Sequence, residues 1–517
     1  MAVYSVAEVA SVGVVVDVDP VLLPPPAWTE VKNVRFTDQA AEKFTGHTSV
    51  ATPAVTPYYA IPVIKGTTAY WVYAGTAAVY AWDGTTPHLD ITRQLNNNAD
   101  PYTGTVFDLW NGGTIQGVLV LNNGVDDPQM WVSGNLESLQ WDGSDTWATK
   151  GYTAKVIRPY KEHLVALDWN DSAEAYHQTV YWSNKADTNS VPSDWDFADP
   201  ANEAGLVDLA ATPGYIVDGE QLRDGFAIYK EDSIYLMQYV GGQYVMNIRD
   251  VSKTTGALTQ RCAREFYGRH FVMAQDDIIV HDGQTIESLA DKRIRRKLFS
   301  DIDPAYYLNS YVTRNLARQE MWLCYTEVGA TLPTRAAVWN WRDNTWTFRE
   351  LPQMPHIAFG VLPTGTGSSV WDTDNASWDS DTETWGERLY NPAQQRLIGV
   401  TANDLFALDQ TTLFGADPID SYLIREGILL DSQPTLKMLK AVYPRAQGGA
   451  MQVSVGARFS VADPYTWEGP YTFTPGTDSV VRVRSTGRFH AIKFCFCASG
   501  ASSLHGYDLE YEVVGRR

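Results

Sequence analysis

The sequence predicts an all-β protein: an irregular β-propeller of six or seven blades, with a C-terminal β-sandwich and an extended N-terminal arm. Three observations predict it. The chain of 517 residues carries 18 Trp, 28 Tyr, 39 Gly and 26 Pro; aromatic side chains fill pleated surfaces, while Gly and Pro punctuate turns. Short alternating runs of strand length recur, among them 69–73, 79–82, 117–121, 163–167, 179–182, 226–229, 233–237, 271–274, 278–280 and 336–339. Several end in hairpin chemistry. Trp82-Asp83-Gly84, Trp141-Asp142-Gly143 and His281-Asp282-Gly283 place Asp-Gly where a tight turn needs positive φ, and Arg342-Asp343-Asn344 is a looser version. Their spacings of 59, 140 and 61 residues fit loose units of roughly 45–60 residues, the length of a four-stranded blade. Strict WD40 or kelch signatures are missing, so unrelated sandwiches are the competing architecture.

Residues 1–50 form the arm and first strands. Leu22-Leu23-Pro24-Pro25-Pro26 reads as a stiff polyproline-type spacer. The first twenty residues are Val-rich but carry Glu8, Asp17 and Asp19 and lack a basic stretch, so they do not read as a signal peptide. Residues 51–415 form the propeller body, broken by a short basic helix near 289–300 in which Leu289, Ile294 and Leu298 lie near helical period. Residues 416–517 form the sandwich, with alternating runs at 451–455, 471–474, 480–484, 491–497 and 507–514. No apolar run reaches the ~20 residues of a membrane span.

Charge narrows the function. Forty Lys and Arg against 61 Asp and Glu leave −21, which repels phosphate backbones and argues against sequence-specific DNA binding as the main task. From Asp417 onward 11 cations meet 10 anions, so the acidity belongs to the body. Four cysteines cannot staple the chain; Cys495 and Cys497 share a strand face and read as small core residues of a protein made in a reducing cytosol.

Catalytic signatures are missing. The sequence has no Gly-x-Ser-x-Gly, His-Glu-x-x-His, Gly-x-x-x-x-Gly-Lys or Gly-x-Gly-x-x-Gly, no Cys-x-x-Cys, and nine scattered histidines. No cofactor, metal or catalytic residue is expected, and no enzyme. A glycosidase needs only two placed carboxylates, so a carbohydrate-binding or sialidase-like propeller is the alternative. The runs 371–375 and 378–383 alternate acids as calcium loops do but lack the loop's Gly and final Glu, and read as solvated acidic loops. Asp142-Gly143-Ser144-Asp145-Thr146-Trp147 falls one position short of the Asp box of sialidase propellers and reads as a blade hairpin.

Two segments are candidate contact sites. Lys292, Arg293, Arg295, Arg296 and Lys297 place five cations within six residues of an acidic body, which fits either a solvated helix neutralised by neighbouring blades or an intersubunit or phosphate contact. Pro24, Pro25, Pro26 and Trp28 are the candidate assembly arm.

Ala27-Trp28-Thr29-Glu30-Val31-Lys32-Asn33-Val34-Arg35-Phe36, followed by Glu42-Lys43-Phe44, resembles the opening of the tail nozzle, tail hub or packaged-DNA stabilisation proteins of short-tailed bacteriophages. These carry a proline-rich lead into a similar phrase and, later, a basic helix, matched here by Arg293 to Asp301; the closing Gly515-Arg516-Arg517 is also similar. The resemblance implies a structural virion protein without enzymatic activity. It implies a ring, usually a hexamer, that extends and closes the DNA channel below the portal and adaptor. Its partners would be copies of itself, the tail adaptor and other tail or fibre proteins, and double-stranded DNA passing without sequence-specific binding. The protein would be made in the host cytoplasm and reside in the virion tail.

Overall fold

The computed structural model describes residues 2–38, 40–96, 98–242, 244–363, 395–498 and 500–516. The acidic runs 371–375 and 378–383 and the final Arg517 lie outside the described residues. Seven sheets, each built on four antiparallel strands and two of them widened to six, follow one another along the chain. Their innermost strands are Tyr59–Lys65, Asn111–Ile115, Thr153–Tyr160, Ile216–Leu222, Ala263–Phe266, Tyr311–Asn315 and His356–Val361. Each touches the next, and the seventh touches the first, so the sheets close into a seven-bladed propeller around a central channel. The all-β class and the propeller expected from the sequence are present, with the upper of the two expected blade numbers.

Hairpin chemistry sits where the spacing placed it. Gly84 (φ 97°), Gly283 (φ 86°) and Asn344 (φ 51°) each turn the chain between the third and fourth strands of the first, fifth and sixth blades. Asp142-Gly143 belongs instead to a small two-stranded insert between the second and third blades. That insert leads into a one-turn helix, Trp147–Lys150, whose Thr146 and Thr149 form a capping box and whose Trp147 is fully buried.

The ring is locked by the chain's own beginning. The outermost strand of the seventh blade's first four is His47–Ala51, antiparallel to Leu405–Leu408, so an N-terminal strand completes a blade otherwise built from residues near 400. The sixth blade is likewise extended by Gly13–Val14 and Ala27–Trp28 in parallel. Gly13 is required there: at φ 76° a Cβ would stand 2.8 Å from the Trp346 carbonyl oxygen.

The second body is a sandwich. One sheet orders Val481–Gly487, Thr435–Gly448, Ser502–Arg516, Ala40–Lys43 and Val34–Thr37, with Ala2–Val6 also paired to Ser502–Arg516. The other orders Glu30–Lys32, Tyr422–Ile428, Phe489–Cys495, Met451–Arg458 and Thr466–Phe473. The N-terminal segment is extended, as expected, but it does not stand off as an arm: four of its strands belong to the sandwich and three to the propeller. The sandwich is therefore not made by residues 416–517 alone. One hydrophobic core joins the bodies, running from Val34, Val453, Ile492 and Phe494 of the sandwich to Trp346 and Phe348 of the sixth blade and Phe271 of the fifth.

Within Phe489–Cys495 and the residues after it, Phe494 and Phe496 take the core face. Cys495 and Cys497 do share a face, but it points outward: Cys495 is half-buried, Cys497 is exposed, and their sulfurs lie 2.7 Å apart. The expectation of two core cysteines is corrected by the register of this strand.

Candidate functional site

The expected helix exists between the fifth and sixth blades, as Arg295–Asp301. It buries Ile294 and Leu298 and turns its cations outward, and most of these find partners within the chain. Arg293 donates to the Asn344 carbonyl at 2.6 Å, Arg295 faces Asp276 at 3.5 Å, and Lys297 pairs with Asp301 at 2.7 Å. Asp17, far away in sequence, accepts from the Arg296 and Lys297 amides at 2.8 and 3.3 Å, and the Arg296 guanidinium bonds the Asp17 carbonyl. A carboxylate from the N-terminal segment thus caps this helix. Lys292 is exposed at φ 57°.

The other candidate segment is corrected at Trp28 alone. Pro24 and Pro25 are exposed, but the chain turns there, with the Ala27 amide bonded to the Pro24 carbonyl at 3.1 Å, and Pro26 is half-buried. Trp28 is 1% exposed, and its Nε1 donates to the Val9 carbonyl at 2.7 Å. A side chain so buried cannot meet another subunit; the large apolar ring is a core anchor.

The phrase that follows Trp28 builds a buried clamp. Asn33, at φ 52°, accepts the Glu350 amide at 2.7 Å and donates to the Asp420 carbonyl at 2.9 Å. Arg35, 3% exposed, grips both oxygens of Glu320 on the sixth blade and reaches Asp409, just past the strand Leu405–Leu408 of the seventh. Asp409 also holds Arg349 at 2.7 Å. The Phe44 ring lies beneath both guanidiniums, at 4.4 and 4.9 Å. Although burial opposes its charge, Asp409 stays well below the usual carboxylate range because Arg35 and then Arg349 stand beside it.

The channel holds the other polar cluster. A cavity of about 320 Å3 is lined by the inner strands of all seven blades, at the lower end of the ~300–1,000 Å3 typical of ligand pockets. Arg158, 6% exposed, binds both oxygens of Asp218 at 3.0 and 2.9 Å. Arg264 meets Glu220 at 3.4 Å, and Arg314 meets Glu265 at 2.7 Å. The rings of Tyr59 and His356, both buried, lie 4.6 Å apart and tilted by 37°. Burial, then Arg261, Arg264 and Arg158, pushes His356 well below its ordinary value, so it is neutral at pH 7. None of these channel residues was singled out from the sequence. The available signal was a charged residue recurring in the first strand of successive blades, at Arg158, Asp218, Glu220, Arg264 and Arg314.

Among the described residues no group of three or more His, Cys, Asp or Glu side chains could hold a metal, and no helix is long and apolar enough to cross a membrane.

No family model matches the chain, and no curated protein matches it. Solved structures do. The extracellular domain of the one-component system BT4673 from B. thetaiotaomicron is similar at 6% identity and TM-score 0.39, over 90% of this chain and 63% of that one. PorZ of the type-IX secretion system of Porphyromonas gingivalis is similar at 9% identity and TM-score 0.35, over 83% and 55%. The exo-β-1,3-galactanase of Phanerochaete chrysosporium is similar at 8% identity and TM-score 0.27, over 91% and 100%. The chain thus spans less than two thirds of the first two. Likenesses this distant concern the class of fold only.

Proposed function

We propose that the chain is a non-catalytic structural subunit, and specifically a tail nozzle or hub protein of a short-tailed bacteriophage, assembled with copies of itself into a ring below the portal and adaptor. One observation carries the reading. The residues that bear the family resemblance, Asn33 to Phe36 and Glu42 to Phe44, are those that lock the sandwich to the sixth and seventh blades. The resemblance therefore lies in the joint of the molecule, and a joint of buried ion pairs and shared core suits a subunit that must transmit force as one body. Channel carboxylates Asp218, Glu220 and Glu265 each face a guanidinium, an arrangement that favours fixed counter-ions over acid–base work.

A second reading, a carbohydrate-binding or sialidase-like propeller, is favoured by the channel cavity, whose lining includes Tyr59, Phe226 and Phe359 beside Arg264 and Arg314. Negative-stain images and light scattering of the purified protein, beside a glycan array and duplex-DNA filter binding, separate the two. A ring of about six subunits, with weak DNA binding at physiological salt, is expected. A monodisperse monomer with clear glycan capture overturns the tail reading.

A further inference from the structure

The run Phe494-Cys495-Phe496-Cys497 sets its two rings and its two thiols on opposite faces, as alternation in an extended strand requires. Both rings are fully buried, and the backbone between them is pinned. Cys495 pairs with Tyr422 on one side and Gln452 on the other, and the Phe496 amide donates to the Ser421 carbonyl at 2.8 Å. Core packing and strand pairing therefore hold both thiols outward. A strand rise of about 3.3 Å per residue sets such a pair roughly 6.6 Å apart at the backbone, inside the ~6.8 Å that a disulfide spans. The sulfurs themselves stand 2.7 Å apart.

The two thiols differ in access. Cys497 is exposed and Cys495 is half-buried; burial, then the hydrogen bond with Cys497, pushes the Cys495 thiol up. Lys43, 8% exposed, donates to the Ala498 carbonyl at 2.8 Å, and its ammonium acts on both sulfurs. A fixed cation thus stands beside the thiolate that exchange chemistry requires. The other two cysteines, Cys262 and Cys324, are fully buried in the propeller, where burial pushes each thiol up to about 12. An exposed thiol with a second, more sheltered one behind it is the arrangement of an attacking and a resolving cysteine.

We infer that Cys495 and Cys497 are a modification site that closes into a reversible disulfide, with Cys497 attacking a small disulfide of the glutathione type and Cys495 resolving the adduct. The Cys497 thiolate bonds one sulfur of glutathione disulfide and expels the other half as a thiolate, which takes up a proton. The Cys495 sulfur, its proton given to solvent, then bonds the Cys497 sulfur and expels the second glutathione thiolate, which is protonated in turn. The protein loses two electrons and two protons, and glutathione disulfide gains both. The link closes so short a loop that it removes little freedom from the unfolded chain, so it marks the redox surroundings rather than stapling the fold. The inference stands whether the chain assembles into a ring or acts alone.

Incubation of the purified full chain with glutathione disulfide, followed by trapping of free thiols with N-ethylmaleimide and peptide mapping by mass, tests it. The wild type should lose maleimide labelling at Cys495 and Cys497 together, carry no glutathione, and regain both labels after dithiothreitol. Cys262 and Cys324 should be labelled only once the protein is denatured. Cys495→Ser should stop at one glutathione on Cys497, because the resolving sulfur is gone. Cys497→Ser should slow modification at Cys495 about tenfold or more, because the accessible thiol is gone. A stable glutathione adduct on the wild type, a covalent dimer through Cys497, continued labelling of both thiols, an unmodified Cys495→Ser or full-rate modification of Cys497→Ser overturns the inference.

Discussion

Arg35 and Asp409, 374 residues apart in the chain, meet at 2.8 Å and join the sandwich to the seventh blade. Arg35 also grips Glu320 of the sixth blade, so a single side chain spans three structural units. Its charge is viable in the interior only because two carboxylates flank it, and the same holds in reverse for Asp409 between two guanidiniums. The molecule's two bodies are thus coupled electrostatically as well as through their common core.

Breaking the clamp should be costly. Arg35→Met leaves Glu320 buried opposite no cation, and removal of one partner of a buried pair costs about 3–5 kcal/mol. The first unfolding transition in urea should move accordingly. Lys253→Ala, which breaks an exposed pair with Asp250, should leave the transition within error. Equal effects from the two substitutions contradict the assignment of Arg35 as the joint.

Acid should destabilise the fold in two stages. Burial pushes His47, His270 and His490 down to about 4, and His281 to about 3, whereas in the unfolded chain each titrates near 6.5. Between these values the unfolded state binds more protons, so stability is complete above about pH 6.5 and falls as pH drops toward 4. Below about pH 4 Asp409, depressed in the fold by Arg35 and Arg349, adds to the loss because protonation breaks its pairs. Melting temperature measured at constant ionic strength should decline from pH 7 to pH 5, where four histidines contribute, and go on falling below 4, where Asp409 adds its share as the histidine contribution shrinks; a flat profile from 7 to 5 contradicts the buried-neutral assignment.

Asp17 should matter through the helix it caps. Asp17→Ala removes acceptors from the Arg296 and Lys297 amides, and loss of such a cap costs roughly 0.5–2 kcal/mol. Reversing Arg293, Arg295 and Arg296 to Glu places like charges beside Asp17, Asp276 and Asp291 and should lower the melting temperature slightly more. If the triple variant melts normally but no longer forms rings, these cations act between subunits instead.

The blades were legible because their turns are written in residues: Asp83-Gly84, Asp282-Gly283 and Asp343-Asn344 hold the same place in three blades. The helix was legible from Ile294 and Leu298. The N-terminal weave was not. Its strands are two to five residues long, too short for a period to register, and several pair with segments hundreds of residues away, as Ala2 does with Tyr511. The proline run suggested stiffness, although the Ala27 amide closes a turn on Pro24. The channel arginines were hidden for another reason: what brings Arg158, Arg264 and Arg314 together is ring closure, a property of all seven blades at once.

Deleting residues 1–26 should therefore do more than remove an arm. The deletion strips Val6, Val9 and Val14, all buried in the core that links the bodies, and removes the carbonyl that binds Trp28 Nε1. It also takes from Arg425, 3% exposed, the Pro20 and Leu23 carbonyls bonded at 2.8 and 2.9 Å, which leaves a buried guanidinium short of acceptors. Exposed core and unsatisfied charge act in the same direction, so the truncated chain should be recovered mainly as aggregate and should bind a hydrophobic dye strongly. Trp28→Ala in the full chain isolates the packing contribution, expected at about 3–5 kcal/mol for a fully buried Trp. A soluble truncated protein with an unchanged melting temperature contradicts the woven arrangement and returns the segment to the status of a free arm.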